Sequence, residues 1–266
     1  MKPDRLEALR HHLYAQGTCS IEELASATGA SVATIRRDLT TLEQQGIVSR
    51  THGGASIAAG AQIEVAFSVR ERQQLAEKRA IAAKAYDLIR PQSSVFLDAG
   101  TTVLQLARRL RVSPMPLTIF TNGLMVAQEL MNVPQLRVTL LGGQLRSENA
   151  SLVGPAAEAM LDRLWFDQLF LGASAIGDDG GIYSVDASEA SLNDRMMERS
   201  AAVTVLADAS KFGRRTTYLV AMLAPPMRVI SDKQLAAVRQ RRLREAGVDL
   251  VIAPDTLGPA SGSPTP

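Results

Sequence analysis

Apolar residues recur every three or four positions near the start of the chain, which is the spacing of amphipathic helices. Leu6, Leu9 and Leu13 predict a first helix, and a second short helix begins near Ile21 and ends at Gly29. Between them, residues 18–20 break the helical pattern. Two short helices are therefore expected within the first 30 residues.

A third helix follows Ser31, whose hydroxyl can cap it, and Gly46 supplies its end. Its predicted inward stripe is Val32, Ile35, Leu39 and Leu42. The residues predicted for its other faces are Thr34, Arg36, Arg37, Thr40 and Thr41. Residues 47–51 then predict a strand that turns at Gly53 and Gly54. Three helices and a glycine-tipped hairpin are typical of a winged helix-turn-helix, so we assign residues 1–57 to a DNA-binding domain.

The remainder of the chain alternates helical segments with short apolar runs. The apolar runs lie at residues 95–97, 117–120, 138–141, 169–171, 203–206 and 250–252. Such a pattern predicts a Rossmann-like α/β domain with a mostly parallel sheet covered on both faces. We place this domain at residues 76–254, after a linker at 58–75, and expect the proline-rich tail 255–266 to be disordered.

Composition narrows the functional classes. The net charge is only +2, so any nucleic-acid contact must come from a local basic patch. One cysteine and three histidines provide neither a disulfide nor a metal cluster, and we expect no cofactor. Because no long apolar stretch or secretory leader is visible, a cytoplasmic protein without a membrane partner is expected.

The candidate DNA-contacting residues are Ser31, Thr34, Arg36, Arg37, Arg50, His52 and Gly53. On the third helix, arginines can bond to guanine or phosphate, and Arg50 and His52 of the wing would lie near phosphates. The alternative for Arg36 and Arg37 is a solvated helix face paired with Asp38 or Glu43. Two adjacent arginines beside Thr34 on a capped helix favour DNA.

The strings at residues 34–39 (TIRRDL) and 50–55 (RTHGGA), with Gly46 between them, closely resemble the DeoR-type family of bacterial sugar-metabolism repressors. This resemblance implies a repressor that binds double-stranded operator DNA as a dimer or tetramer. It also implies an α/β sensor domain, similar to ribose-5-phosphate isomerase, for a phosphorylated sugar or related metabolite.

Three successive predicted strands end in small or polar residues. The first runs into Asp98, Gly100, Thr101 and Thr102 at the start of a helix, where free N–H groups favour an anion. The second and third strand ends carry Thr121, Asn122, Gly142 and Gly143, with Arg146 close behind. We therefore predict one ligand crevice at this edge of the sheet.

The resemblance continues through Gly180, Gly181, Glu189 and residues 208–213, and covers about residues 1–254. It implies an anion site made by Thr101, Thr102 and Lys211, with Arg146 a weaker candidate. By the same likeness Asp98, Asn122 and Glu189 would meet sugar hydroxyls, while Asp208 either contacts the ligand or caps a turn. Asn193 is a departure, since many relatives have lysine there.

Two other classes remain open at this stage. One is a sugar-phosphate isomerase with an added DNA-binding domain, in which Asp98, Glu189 or Lys211 would move protons. Against it, the large domain lacks histidine, and Gly142 and Gly143 stand where related enzymes tend to carry an acid. The other is a DNA-binding protein whose large domain only dimerises and binds no metabolite.

Overall fold

The protein is described by a computed structural model of residues 5–6, 8–10, 12–13, 18–44, 47–51, 53–57 and 67–254. The chain divides into two compact units, Met1–Val65 and Ala66–Pro266. None of the helices in the described ranges is long and apolar enough to cross a membrane.

The smaller unit contains the three predicted helices and the predicted hairpin. Residues 5–6, 8–10 and 12–13 are helical and form α1. They are followed by β1 (Thr18–Ser20), α2 (Ile21–Thr28), α3 (Val32–Gln44), β2 (Val48–Thr51) and β3 (Gly54–Ile57). Strand β3 pairs antiparallel with both β2 and β1, so a third strand joins the hairpin.

Local sequence explains these boundaries. Ser20 caps α2 in a capping box, where its hydroxyl accepts the Glu23 N–H and the Glu23 carboxylate accepts the Ser20 N–H. Gly29 ends the helix at φ 66°. Leu9, Leu13, Leu24, Ile35, Leu39 and Leu42 are fully buried and form the core of this unit. Val32 is 36% exposed, so its predicted place in the inward stripe of α3 is wrong.

The larger unit is built on a seven-stranded parallel sheet. Its strands in chain order are β4 (Ser94–Leu97), β5 (Leu117–Thr121), β6 (Leu136–Leu140), β9 (Gln168–Gly172), β12 (Val203–Leu206), β14 (Arg228–Asp232) and β15 (Asp249–Ala253). Their spatial order is β15-β14-β12-β9-β4-β5-β6. All six strands predicted from apolar runs are present, and β14 is an addition.

Helices cover both faces of this sheet. They are α4 (Phe67–Arg72), α5 (Leu75–Tyr86), α6 (Thr101–Val112), α7 (Leu124–Leu130), α8 (Pro155–Leu161), α9 (Ala187–Glu198), the 3₁₀ turn η1 (Ala209–Lys211) and α10 (Ala237–Glu245). Within β4, Val95 and Leu97 belong to the core cluster that contains residues of α5, α6 and α7, whereas Phe96 belongs to the other cluster, which contains residues of α8, α9 and α10. Both faces are therefore buried, as a parallel sheet requires.

Short antiparallel elements complete the larger unit. The strands β10 (Ala175–Ile176), β11 (Gly181–Ser184) and β13 (Tyr218–Met222) form one small sheet in the order β10-β11-β13. The strands β7 (Gln144–Arg146) and β8 (Ser151–Val153) form a hairpin.

Helix α4 corrects the predicted linker at 58–75. Residues 67–72 are helical, and Phe67 is buried in the core of the larger unit beside Ile81 and Leu104. The charge run that follows Phe67 masked this helix in the sequence. The predicted tail 255–266 lies outside the described residues.

Candidate functional site

Helix α3 presents an exposed polar face. The Ser31 hydroxyl accepts the Thr34 N–H at 3.3 Å and lies 2.8 Å from the Thr34 hydroxyl, so the start of the helix is capped as predicted. Arg36 and Arg37 are exposed. Of their two predicted alternative partners, Asp38 and Glu43, Asp38 is buried and accepts two bonds from Arg5, at 2.6 and 3.2 Å. Neither arginine forms an ion pair with a carboxylate of the described chain.

The hairpin after α3 carries the other DNA candidates. Arg50 is exposed on β2, and Gly53 is exposed at the turn with φ 81°. Gly54 allows a close approach of β1, because a Cβ there would lie 2.2 Å from the Cys19 carbonyl oxygen. The predicted contact residue His52 lies outside the described residues. Ser31, Thr34, Arg36, Arg37, Arg50 and Gly53 thus belong to α3 and its wing.

A polar crevice lies in the larger unit at the carboxyl ends of β4, β9 and β12. The chain leaves β4 toward β5 on one side, while β9 leads to β12 on the other, so the strand order reverses between β4 and β9. Ligands bind at such reversal points in open α/β sheets. The crevice is lined by Asp98, Gly100, Thr101, Thr102, Glu189 and Lys211 of the predicted set.

One end of this crevice is suited to an anion. Gly100 precedes α6 and provides no side-chain cap, so N–H groups of the first turn point outward. Lys211 follows β12 on η1 and lines the same space, as does Arg70 of α4. Burial lowers the pKa of Lys211, and the Asp208 carboxylate opposes that shift. The helix start and the two cations make this end of the crevice complementary to an anion.

Asp98 is a buried carboxylate at the floor of the crevice. Its Oδ2 accepts the Gly172 N–H at 3.0 Å, whereas its Oδ1 has no hydrogen-bond partner in the described part of the chain. Burial, and then the nearby charge of Glu189, raise the pKa of Asp98 to about 7, although backbone N–H groups oppose the shift. Near neutral pH it can therefore act either as a donor or as an acceptor toward a ligand hydroxyl.

Glu189 is held in a fixed position by its neighbours. Asn149 Nδ2 donates to its Oε1, and the Ser184 hydroxyl donates to its Oε2 at 2.9 Å. Arg146 Nη1 lies 3.5 Å from the same Oε2, and Arg146 Nε lies 3.3 Å from Asp186. The first turn of α9 is capped by Asp186, which accepts the Glu189 N–H at 2.8 Å. Glu189 is thus an oriented hydrogen-bond acceptor.

Five predicted effector residues do not line this crevice: Thr121, Asn122, Gly142, Gly143 and Arg146. Thr121 and Asn122 are fully buried, and the Thr121 hydroxyl accepts the Gly123 N–H at 2.9 Å. Gly143 has φ 142°, and a Cβ there would lie 2.6 Å from the Val153 carbonyl oxygen, so backbone packing alone requires a glycine at this position. Arg146 serves the carboxylates of α9. The sequence predicted a crevice at the carboxyl ends of β4, β5 and β6, whereas the crevice in the structure lies at the carboxyl ends of β4, β9 and β12.

Several residues of the crevice were not predicted. The sequence placed Arg70 in the predicted linker, and it gave no prediction for Gly172, Asn149 and Ser184. Gly172 follows an apolar strand, as Gly100 does nearby, so the end of β9 offered a usable signal. Asn193 also lines the crevice, and its buried Oδ1 has no partner among the described atoms. Asp208 caps η1 by accepting the Ser210 N–H at 3.0 Å, which supports its structural alternative.

A winged helix with exposed arginines and an α/β unit with a polar, cation-lined crevice are the arrangement expected of a ligand-responsive DNA-binding regulator. Comparison with known families agrees: residues 5–60 match the DeoR-like helix-turn-helix domain, and residues 73–233 match the DeoR C terminal sensor domain. The chain belongs to the DeoR family of transcriptional regulators.

Curated relatives extend over most of the chain. It is 36% identical to a putative aga operon transcriptional repressor of Escherichia coli O157:H7, covering 94% of this chain and 93% of that one. It is 39% identical to the HTH-type transcriptional regulator GlpR of Haloferax volcanii, over 87% and 90% of the two chains. The glycerol-3-phosphate regulon repressor of Escherichia coli K12 is 36% identical, over 75% and 78%.

Among solved structures, ribose 5 phosphate isomerase A from Neisseria gonorrhoeae matches with a TM-score of 0.38 and 13% identity. The match covers 51% of this chain and 52% of that one. A likeness of this size carries no argument about function.

Proposed function

We propose that this DeoR-family regulator represses a carbohydrate-utilisation operon and that a phosphorylated sugar, or a related metabolite, releases or modulates it. The observation that carries the proposal is the crevice at β4, β9 and β12. It combines the anion-binding start of α6 and Lys211 with oriented polar groups on Asp98, Glu189 and Asn193. A phosphate and a set of hydroxyl groups are complementary to these two halves.

The names of the relatives support the same class of ligand. One relative is named as a repressor of a glycerol-3-phosphate regulon and another as a putative repressor of the aga operon. We propose that Arg36, Arg37 and Thr34 contact operator DNA in the major groove, with Ser31 capping the helix, while Arg50, His52 and Gly53 follow the backbone. Paired half-sites require paired recognition helices, so a homo-oligomer in the cytoplasm is part of the proposal.

We further propose that the crevice binds its ligand without converting it. The three histidines lie at positions 11, 12 and 52, so the larger unit offers no imidazole base. Both carboxylate oxygens of Glu189 are engaged by Asn149, Ser184 and Arg146, which suits an acceptor of hydroxyl bonds better than a proton carrier. An assay for isomerisation of ribose 5-phosphate tests this, and turnover by the purified protein would refute it.

A thermal-shift screen of the full chain tests the sensor proposal. Glycerol 3-phosphate, galactosamine 6-phosphate, fructose 1-phosphate and ribose 5-phosphate are each compared with their unphosphorylated counterparts. We expect at least one phosphorylated compound to raise the melting temperature, while its counterpart does not. The same compound should release operator DNA in an anisotropy titration. If no phosphorylated metabolite in a widened panel stabilises the protein, the proposed effector class is wrong.

A further inference from the structure

Several contacts attach helix α4 to the rest of the larger unit. Phe67 is buried at its first turn, and its N–H donates to the Glu148 carbonyl at 3.0 Å. Glu71 pairs with Arg108 of α6 at 2.5 Å. At the other end, the ammonium of Lys78 donates to the carbonyls of Arg70 and Gln73, the latter at 2.8 Å. The position of α4 is therefore determined by the sensor unit.

Lys78, which bonds to the end of α4, is a buried cation. Its side chain is only 2% exposed, and burial lowers its pKa to about 8. The positive charges of Lys211 and Arg70 contribute to this lowering of the pKa, whereas the negative charge of Asp208 opposes it. Two cations, Arg70 and Lys211, thus share one corner of the crevice, and the buried Lys78 lies near both without lining it.

Arg70 projects from α4 into this corner. Its Nη2 donates to Asn149 Oδ1 at 2.5 Å and to the Glu148 carbonyl at 3.3 Å. Asn149 in turn donates to Glu189 across the crevice. The series Arg70, Asn149 and Glu189 joins the cationic corner to the carboxylate end, so a ligand that bonds to either end changes the hydrogen bonds of the other.

We propose that Arg70 is an effector-binding residue and that α4 is the element through which the sensor unit reports an anion in the crevice to the chain leading to the DNA-binding unit. The inference rests on the proposed function, because it assumes a phosphorylated effector. A phosphate beside Lys211 and the start of α6 bonds to the Arg70 guanidinium and competes with Asn149 for it. Helix α4 is the first described element after residue 57, so in the sequence it stands next to the chain that leads to the DNA-binding unit.

The test compares Arg70→Gln with Arg72→Gln in the full-length protein. Both changes remove one arginine from α4, but Arg72 is exposed and does not line the crevice. With inorganic phosphate as the probe, calorimetry should show a dissociation constant raised about 10-fold or more in Arg70→Gln, as for the loss of a charge-assisted bond. The control should remain within about 2-fold of the wild type. Arg70→Lys, which keeps the charge but loses the planar fork, should lie between the two.

Hydrogen exchange of the same proteins separates a ligand contact from a structural role. At matched phosphate occupancy, exchange in residues 67–72 should slow in the wild type and in Arg72→Gln but not in Arg70→Gln. Phosphate binding by Arg70→Gln that equals the wild type, or unchanged exchange of α4 in the wild type, would overturn the inference and leave the proposed function intact. Failure of the wild type to bind phosphate at millimolar concentration would instead remove the anion site, and with it both proposals.

Discussion

Asp98 and Glu189 line the same crevice, but their surroundings give the two carboxylates different properties. Glu189 has donors on both oxygens, whereas Asp98 keeps one oxygen without a partner among the described residues. The sequence predicted Asp98 as a ligand candidate from its place at a strand end, and it predicted Glu189 only through the family resemblance. It could not predict their hydrogen-bond surroundings, because the neighbouring donors come from β9, β11 and residue 149, which are remote in sequence.

The raised pKa of Asp98 predicts a pH-dependent stability. The folded protein holds this proton to a pKa of about 7, whereas the ordinary value is 3.8. Stability from this proton is present below the lower value and is lost as the pH rises toward 7, with a slope of at most about 1.4 kcal/mol per pH unit. Asp98→Asn should remove that loss, so the free energy of unfolding of the wild type should fall relative to the variant between pH 5 and pH 7.5.

Urea unfolding of both proteins at several pH values measures this difference. Asp87→Asn is the matched control, because it removes an exposed carboxylate from the same unit. Its pH profile should parallel that of the wild type. Parallel profiles for Asp98→Asn and the wild type would show that Asp98 does not titrate in this range.

At the scale of elements, a helix or strand could be predicted where one pattern of apolar positions extends over the whole segment. Each of the six predicted strands is an apolar run, as expected for a strand of a parallel sheet that is covered on both faces. Strand β14 was missed because Arg228, Ser231 and Asp232 leave only Val229 and Ile230 as its apolar run. Helix α4 was missed because its charged residues outnumber its single buried anchor, Phe67.

The predicted position of the crevice differs from its position in the structure for a related reason. The sequence identifies strand ends but not spatial order, and consecutive strands were taken to be neighbours. Strand β9 lies between β4 and β12, so residues that follow β9 and β12 line the crevice, whereas Gly142 and Gly143, directly after β6, do not. Gly142 and Gly143 looked like ligand-binding glycines, but a close approach to β8 explains Gly143.

The small sheet of the wing yields a prediction at this scale. A Cβ at Gly54 would lie 2.2 Å from the Cys19 carbonyl oxygen, so Gly54→Ala must push β1 away from β3. We expect a loss of local stability of about 2 kcal/mol or more, because a backbone clash cannot be relieved by a side-chain rotation. Gly29→Ala is the control: nothing lies within 4 Å of its Cβ, and its φ of 66° costs about 1 kcal/mol. Hydrogen exchange of residues 18–57 compares the two, and equal protection would contradict the steric argument.

At the scale of the whole molecule, DNA binding and effector binding are assigned to different units of one chain. Arg36 and Arg37 lie on α3 of the smaller unit, and Lys211 lies on η1 of the larger one. Regulation then requires a coupling free energy, typically about 1 to 3 kcal/mol, which changes operator affinity about 5- to 150-fold. By reciprocity, operator DNA must weaken or strengthen effector binding by the same factor.

Two sets of variants should therefore lose different functions: one set should lose operator binding and the other effector binding. Arg36→Ala and Arg37→Ala should each cost about 1 to 3 kcal/mol of operator binding if the arginine contacts a base, or reduce the salt slope if it contacts phosphate. Both should bind the effector found in the screen as the wild type does.

Lys211→Met keeps the aliphatic stem but loses the charge, and Thr101→Val loses a hydroxyl with little change in volume. These two should weaken the effector by about 1.5 to 3 kcal/mol and stay bound to the operator at concentrations that release the wild type. Anisotropy titrations of operator DNA with and without effector measure both losses. Unchanged operator binding in both arginine variants would place the DNA contact elsewhere, and release of Lys211→Met and Thr101→Val at the wild-type effector concentration would place the effector outside this crevice.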